Sequence, residues 1–236
     1  QSQNMRIRVH PGKDILPVPY YSADVDTIKK ISPQTWVMPL ANPEEWALLS
    51  RFIHDVKLGP LSEYGASPTS GEIIFNAATR PFMTKDDRFD LILRRSHVQR
   101  YEIAETAKQG EPEYLRTDDY LRNAAPDSKA FAFHRPRIVY QEGSAIDAWR
   151  RVIPTYLAAG NICGHKVCYF TDYKVEMQTL LAVFASSLVN WLVEKLSVTN
   201  SLPAYLIGNL PFPVFTFDIP DTRRAELAAD ARALYI

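Results

Sequence analysis

Cysteine and glycine are scarce in this sequence, and net charge is missing altogether. Two cysteines, Cys163 and Cys168, cannot build a disulfide framework in 236 residues, so a reducing cytoplasm is the default setting. The nine glycines include no two separated by a single residue. A G-x-G nucleotide turn is therefore absent, as are a Walker-type phosphate loop and a G-x-S-x-G elbow. Twenty-seven Lys and Arg balance twenty-seven Asp and Glu. That argues against a strongly basic nucleic-acid binder, but not against a local patch, because a duplex senses the charge it touches. Five histidines lie too scattered to suggest a triad. No run approaches the roughly 20 apolar residues of a bilayer span, and no basic-then-apolar signal opens the chain.

What is present points to short elements and fixed turns. Seventeen prolines favour edge strands over long helices. Met5–His10 alternates at period two, Ile15–Tyr21 reads as extended, and Thr35–Leu40 reads as a strand. Asn42-Pro43-Glu44-Glu45 starts a helix, with an N-cap amide, proline at the first position and acids in the first turn. Trp46, Leu49, Phe52, Ile53 and Val56 give it an apolar face, and it should end before Gly59-Pro60. Residues 61–71 form a loop rich in small residues. Strands are expected at Glu72–Asn76, Arg80–Thr84, Asp90–Leu93 and Val98–Ile103. The polar stretch 105–129 reads as an insertion, with a short helix over Tyr114–Asn123. Further strands are expected at Phe131–His134, Arg137–Gln141, Val152–Leu157 and Lys166–Phe170. Leu180, Leu181, Phe184, Leu188, Trp191, Leu192 and Leu196 line one long buried helix over about 175–198. Leu202–Leu206 and Leu210–Phe215 read as extended, and a last helix begins at Thr222. Trp36, Trp46 and Trp191 are expected in the core and Trp149 at the surface. The fold class is α+β: mixed, mostly antiparallel sheets with a few packed helices.

The chain centres on Arg80–Tyr101, which carries six Lys or Arg against three Asp. Guanidinium groups beside short strands suit phosphates and guanine edges, which take paired, planar hydrogen bonds. A solvated rim beside a strand explains the same charges more plainly. Cys163, His165 and Cys168 offer three metal ligands, but a structural zinc site wants four, so inert thiols are the simpler reading and no metal site is assigned. Asp172-Tyr173-Lys174 and Pro126-Asp127 are fragments of a nuclease pattern and lie far apart. A methyl-transfer site lacks both its glycine turn and its Asn/Asp-Pro-Pro-aromatic motif. No complete catalytic site is recognisable, which favours binding.

The order of several weak motifs resembles a known family. Asn42-Pro43-Glu44-Glu45-Trp46 and Pro60-Leu61-Ser62-Glu63 come first. Gly65–Gly71 with Thr69 follows, then Arg94-Arg95-Ser96-His97-Val98-Gln99-Arg100-Tyr101 and Arg137–Gln141. Ala182–Leu192 with Ser186-Ser187, and Gly208-Asn209-Leu210-Pro211-Phe212-Pro213, complete the series. This is similar to the TaqI-like specificity domain, the target-recognition region of adenine-N6 DNA methyltransferases and type IIG restriction-modification enzymes. Arg95 stands where that family often has glycine. The resemblance spans about Thr35 to Phe215 and implies that residues 1–236 are a single DNA target-recognition domain, a fragment of a larger enzyme. The absence of Met before Gln1-Ser2-Gln3 fits a fragment. S-adenosylmethionine would then belong to a covalently linked methyltransferase domain, with no cofactor in this chain and no membrane role. Double-stranded DNA is the implied partner. By residue chemistry, Thr69, Ser70, Lys85, Arg135 and Arg150 are candidates for phosphate contact. Arg80, Arg94, Arg95, His97 and Arg100 are candidates for reading bases. Arg151 ranks lower because it has Asp147 to pair with. The rival class is a non-catalytic protein-interaction or scaffold domain, and the discriminator is whether Arg80, Arg94, Arg100, Arg135 and Arg137 converge on one face.

Overall fold

The computed structural model describes residues 4–8, 20–33, 36–55, 58–61, 66–108, 110–213 and 221–235. In chain order the strands are β1 (Asn4–Ile7), β2 (Tyr21–Asp24), β3 (Leu58–Pro60), β4 (Ser67–Thr69), β5 (Met83–Thr84), β6 (Asp90–Leu93), β7 (Tyr114–Leu115), β8 (Arg137–Gln141), β9 (Pro154–Leu157), β10 (Ile162–Cys163), β11 (Val167–Thr171) and β12 (Pro211–Pro213). The helices are α1 (Val25–Ile31), α2 (Pro43–Asp55), α3 (Thr117–Leu121), α4 (Met177–Phe184), α5 (Ser187–Leu196), α6 (Ala204–Gly208) and α7 (Asp221–Tyr235). This is the α+β class, and among the described residues every strand pair is antiparallel except β10–β6.

A first four-stranded sheet, ordered β4-β11-β8-β9, divides the interior. Successive side chains of a strand point to opposite faces, and here both faces are covered. Ile138, Tyr140, Cys168 and Phe170 join a large core with Trp46, Leu49, Phe184, Leu192 and Phe212. Val139, Val167 and Tyr169 point the other way, into a second core with Leu93, Val98 and Cys163. This two-sided burial explains why β8 and β11 read as near-continuous apolar runs. It also sends the two cysteines into different cores, so their spacing in sequence does not make a ligand pair. The second sheet, ordered β10-β6-β7-β5, packs over a third small core of Ile73, Ile92, Leu115 and Ile162.

Helix α2 forms as its sequence dictates. Asn42 Oδ1 accepts from Glu45 N–H at 2.8 Å, and Glu45 Oε2 accepts from Asn42 N–H at 3.0 Å. This reciprocal capping contributes about 1 kcal/mol. Trp46, Leu49 and Ile53 then face the core.

Several expectations are corrected. The long helix over 175–198 is two helices, α4 and α5, bent by 57°. Ser186 is the cause: its backbone is extended (φ −67°, ψ 156°), and its side chain accepts from Val189 N–H to cap α5. Serine competes for backbone hydrogen bonds in this way, which makes it a good start and a poor helix interior. Ser67–Thr69, expected as loop, is strand β4. Glu72–Asn76 makes only an isolated bridge through Ile73, and Val98–Ile103 only the bridge between its two ends. Arg80–Phe82 and Lys129–His134 are 3-10 turns rather than strands. Residues 36–40 are irregular. Trp36 takes a positive φ of 50° and is 58% exposed, so it is no core residue. Helix α6 replaces an extended stretch. The polar stretch 105–129 supplies β7, which pairs with both β5 and β6. The expectations for residues 9–10, 15–19, 35, 56, 62–65 and 214–215 lie outside the described residues. Among the described residues, no single helix is long and apolar enough to cross a membrane.

Candidate nucleic-acid interface

The Arg94–Tyr101 segment leaves β6 and is fastened at its middle. Residues Arg95–His97 form a 3-10 turn. His97 is buried, and its Nδ1 accepts from Arg94 N–H at 2.8 Å. Gln141 on β8 donates to Val98 O at 2.5 Å, while Gln99 Nε2 donates to Ser96 O at 2.6 Å. Tyr101 takes φ 77°, a left-handed conformation that costs a non-glycine residue about 1–3 kcal/mol. With Val98 and His97 locked inside, the arginines on either side are held outward.

These arginines are not equivalent. Arg94 pairs with Glu113 (Nη2–Oε2 2.6 Å) and is half-buried. A Cβ built on Gly110, at φ +77°, would run into Arg94 Nη1. Arg95 is exposed, and a Cβ built on Gly143 would likewise run into its Nη1. Among the described residues Arg95 has no acidic partner within 4.0 Å. Arg100 stacks over Tyr101 at 4.7 Å and Trp149 at 5.6 Å. Trp149 is 75% exposed, so this aromatic–cation pair stands at the surface.

Arg94 and Arg95 open onto a cleft of about 310 Å³, shared with Phe75, Gly164, His165 and Lys166. The turn carrying His165 and Lys166 links β10 to β11 and so joins the two large sheets. Lys166 pairs with Glu142 at 2.9 Å. His165 meets Phe75 edge-on, with ring centres 5.3 Å apart. Its Nδ1 is buried with no hydrogen-bond partner. Burial first, and then the Lys166 charge, lowers its pKa and favours the neutral ring.

The remaining candidates divide by burial. Arg80 is exposed at the head of its 3-10 turn. Lys85 is exposed and 3.3 Å from Glu111. Arg135 is exposed, with Asp172 at 3.9 Å. Thr69 is half-buried on β4, and Ser70 Oγ accepts from Lys129 Nζ at 3.1 Å. Three cations are structural. Arg150 is 5% exposed and donates to the carbonyls of Val152, Ala185 and Ser186, so it leaves the candidate interface, as does buried His97. Arg137 is sealed against Glu72 and cannot join a surface set with Arg80, Arg94, Arg100 and Arg135. Arg151 bonds Ser144, Ser197 and Thr199 rather than the expected Asp147. Cys163 and Cys168 are both buried, and burial pushes the Cys168 thiol up to about 11. Among the described residues no group of three or more His, Cys, Asp or Glu is placed to hold a metal ion.

Sequence reasoning missed Phe75, Lys166 and the two glycines that flank Arg94 and Arg95. Lys166 sits inside the Cys163–Cys168 motif and at the head of the expected strand Lys166–Phe170, and neither pattern marks it as a cation of the site. No protein-family model matches the chain, and no curated protein matches it.

Proposed function

We propose that this chain is a DNA-recognition module whose contact surface is the Arg94–Tyr101 segment and the neighbouring 142–149 and 164–166 loops. In this reading it works in the cytoplasm beside a methyltransferase domain that binds S-adenosylmethionine and modifies adenine. The observation that carries it is the arrangement of Arg94, Arg95 and Lys166 around one cleft, with Arg100 of the same basic segment stacked on the exposed Trp149 of the 142–149 loop. Arginine forks match phosphate and guanine geometry, and an exposed aromatic ring beside them suits a base face. The motif order that resembles TaqI-like specificity domains supports the same reading.

The test is a salt titration of binding to random duplex DNA by the native chain and an Arg95→Ala/Arg100→Ala variant. The expected log–log slope is several units and shrinks by about one for each lost phosphate contact. Identical slopes for the two proteins would remove this surface from the reading.

A protein-interaction domain is the second reading. It is favoured by the acids beside the cations: Glu113 by Arg94, Glu111 by Lys85, Glu142 by Lys166 and Asp172 by Arg135. Binding to duplex that is absent even at low salt would favour it.

A further inference from the structure

We propose that the cleft between Arg95 and Lys166 binds one nucleotide unit, a phosphate ester attached to a planar aromatic base. The proposal rests on the DNA reading only for the source of that unit, either a nucleotide turned out of a bound duplex or a free one.

Charge selects the ligand's sign. Arg94 and Lys166 are largely neutralised by Glu113 and Glu142. Arg95 is left over, so the cleft wall carries roughly one uncompensated positive charge. A phosphate fits that balance and can take both nitrogens of a guanidinium edge.

Position selects for a rigid anion site. Each guanidinium fills the place where a glycine's Cβ would stand, Arg94 at Gly110 and Arg95 at Gly143. A side chain at either glycine would occupy the volume the guanidinium now fills. Flexible arginines normally lose entropy on binding; Arg94 is already held by Glu113, and Arg95 has room for its guanidinium only because position 143 is glycine.

The other end of the cleft selects the base. The Phe75 ring lies beside a neutral His165 whose Nδ1 is buried and has no hydrogen-bond partner. Phe75 and His165 both line the cleft, and two aromatic rings on one wall offer a planar base a stacking partner. The volume of about 310 Å³ is far more than a bare phosphate needs and lies at the lower end of small-molecule sites, about 300–1,000 Å³.

The experiment is calorimetric titration of the whole chain with each of the four deoxynucleoside 5′-monophosphates, the matching nucleosides and inorganic phosphate. At least one monophosphate should bind about tenfold or more tighter than its nucleoside and than phosphate. Arg95→Ala and Gly143→Ala should each weaken that binding by about tenfold, with an unchanged melting temperature. The glycine variant removes no charge and displaces only the far end of a flexible side chain, so it separates positioning from mere attraction. The proposal is overturned if no monophosphate binds, if phosphate alone binds as tightly, or if both variants bind like the native chain. The source is read by competition. A duplex with one bulged nucleotide that displaces the monophosphate, where a fully paired duplex does not, assigns the site to an extrahelical nucleotide. A monophosphate that binds while neither duplex does keeps the cleft for free nucleotides and removes the DNA reading. Duplex binding without monophosphate binding does the reverse.

Discussion

Arg137 Nη1 lies 2.5 Å from Glu72 Oε1, and each side chain is only 1% exposed. The pair joins β8 of the first sheet to the segment that bridges onto β10 of the second. Glu72 also accepts from Cys163 N–H at 2.9 Å, and Arg137 donates to Asn161 O at 2.7 Å and lies over the Tyr169 ring. Burial is the largest influence on Glu72 and raises its pKa despite the guanidinium beside it. Desolvation therefore takes back part of what the ion pair contributes.

Glu72→Gln should be far worse than its small change in shape suggests. It leaves the Arg137 charge buried without compensation, a loss of about 3–5 kcal/mol. The double variant Glu72→Leu/Arg137→Met removes both charges and should recover most of that loss. Denaturant midpoints of the three proteins check this, and equal loss in the single and double variants contradicts it.

Ser186→Ala should weaken the start of α5 by about 1 kcal/mol. Its hydroxyl is the acceptor for Val189 N–H at 3.2 Å. Ser186→Asp should retain the cap and most of the stability. Thermal melting separates the two.

Arg150 and Arg100 should give opposite phenotypes. Arg150→Ala strands buried carbonyls that the guanidinium now satisfies and should cost about 3 kcal/mol. Well below its melting temperature, it should leave the salt slope of duplex binding unchanged. Arg100→Ala should change stability by no more than about 0.5 kcal/mol while lowering the slope. A lowered slope for Arg150→Ala would return that residue to the interface.

Acid should loosen the Arg94–His97 turn. Burial is the main cause that lowers the His97 pKa, because it disfavours the charged ring, and the neutral ring is the form whose Nδ1 accepts from Arg94 N–H. A depressed folded-state pKa means that the stabilisation is complete above the unfolded value near 6.5 and is lost as pH falls through the folded one. The stability difference between the native chain and His97→Gln should thus be greatest above about pH 7 and shrink below about pH 6. His165 shifts in the same direction but is common to both proteins, so it cancels. Urea titrations at several pH values measure the difference.

Legibility followed the range of the forces involved. The Asn42 cap, the α2 face, strand β6 and strand β8 were readable because each is set by neighbours in sequence. The break at Ser186 was visible only as a serine pair inside an apolar face, and hydrophobic spacing outweighed it. Lys129–His134 has the composition of a strand, yet it winds into a 3-10 turn whose Lys129 reaches Ser70 and Gly71, nearly sixty residues away. The arginines of the site were found by charge, but charge alone does not separate Arg95 from Arg150. That distinction depends on the carbonyls of Ala185 and Ser186 around Arg150, a purely tertiary fact. Gly143 carried no signal, since its role is to leave room for a side chain 48 positions earlier.

The parallel pairing of β10 with β6 has a temporal consequence. Strands β5, β6 and β7 all lie before residue 116, whereas β10 begins at Ile162. Closing so long a loop is slow, so this sheet gains its last strand late in folding or synthesis. Gly164, His165 and Lys166 follow β10 directly, and they arrive at Arg94 and Arg95 only when that strand docks. A chain without docked β10 therefore presents its arginines without the other lining residues of the cleft. Only the completed fold holds the full cleft.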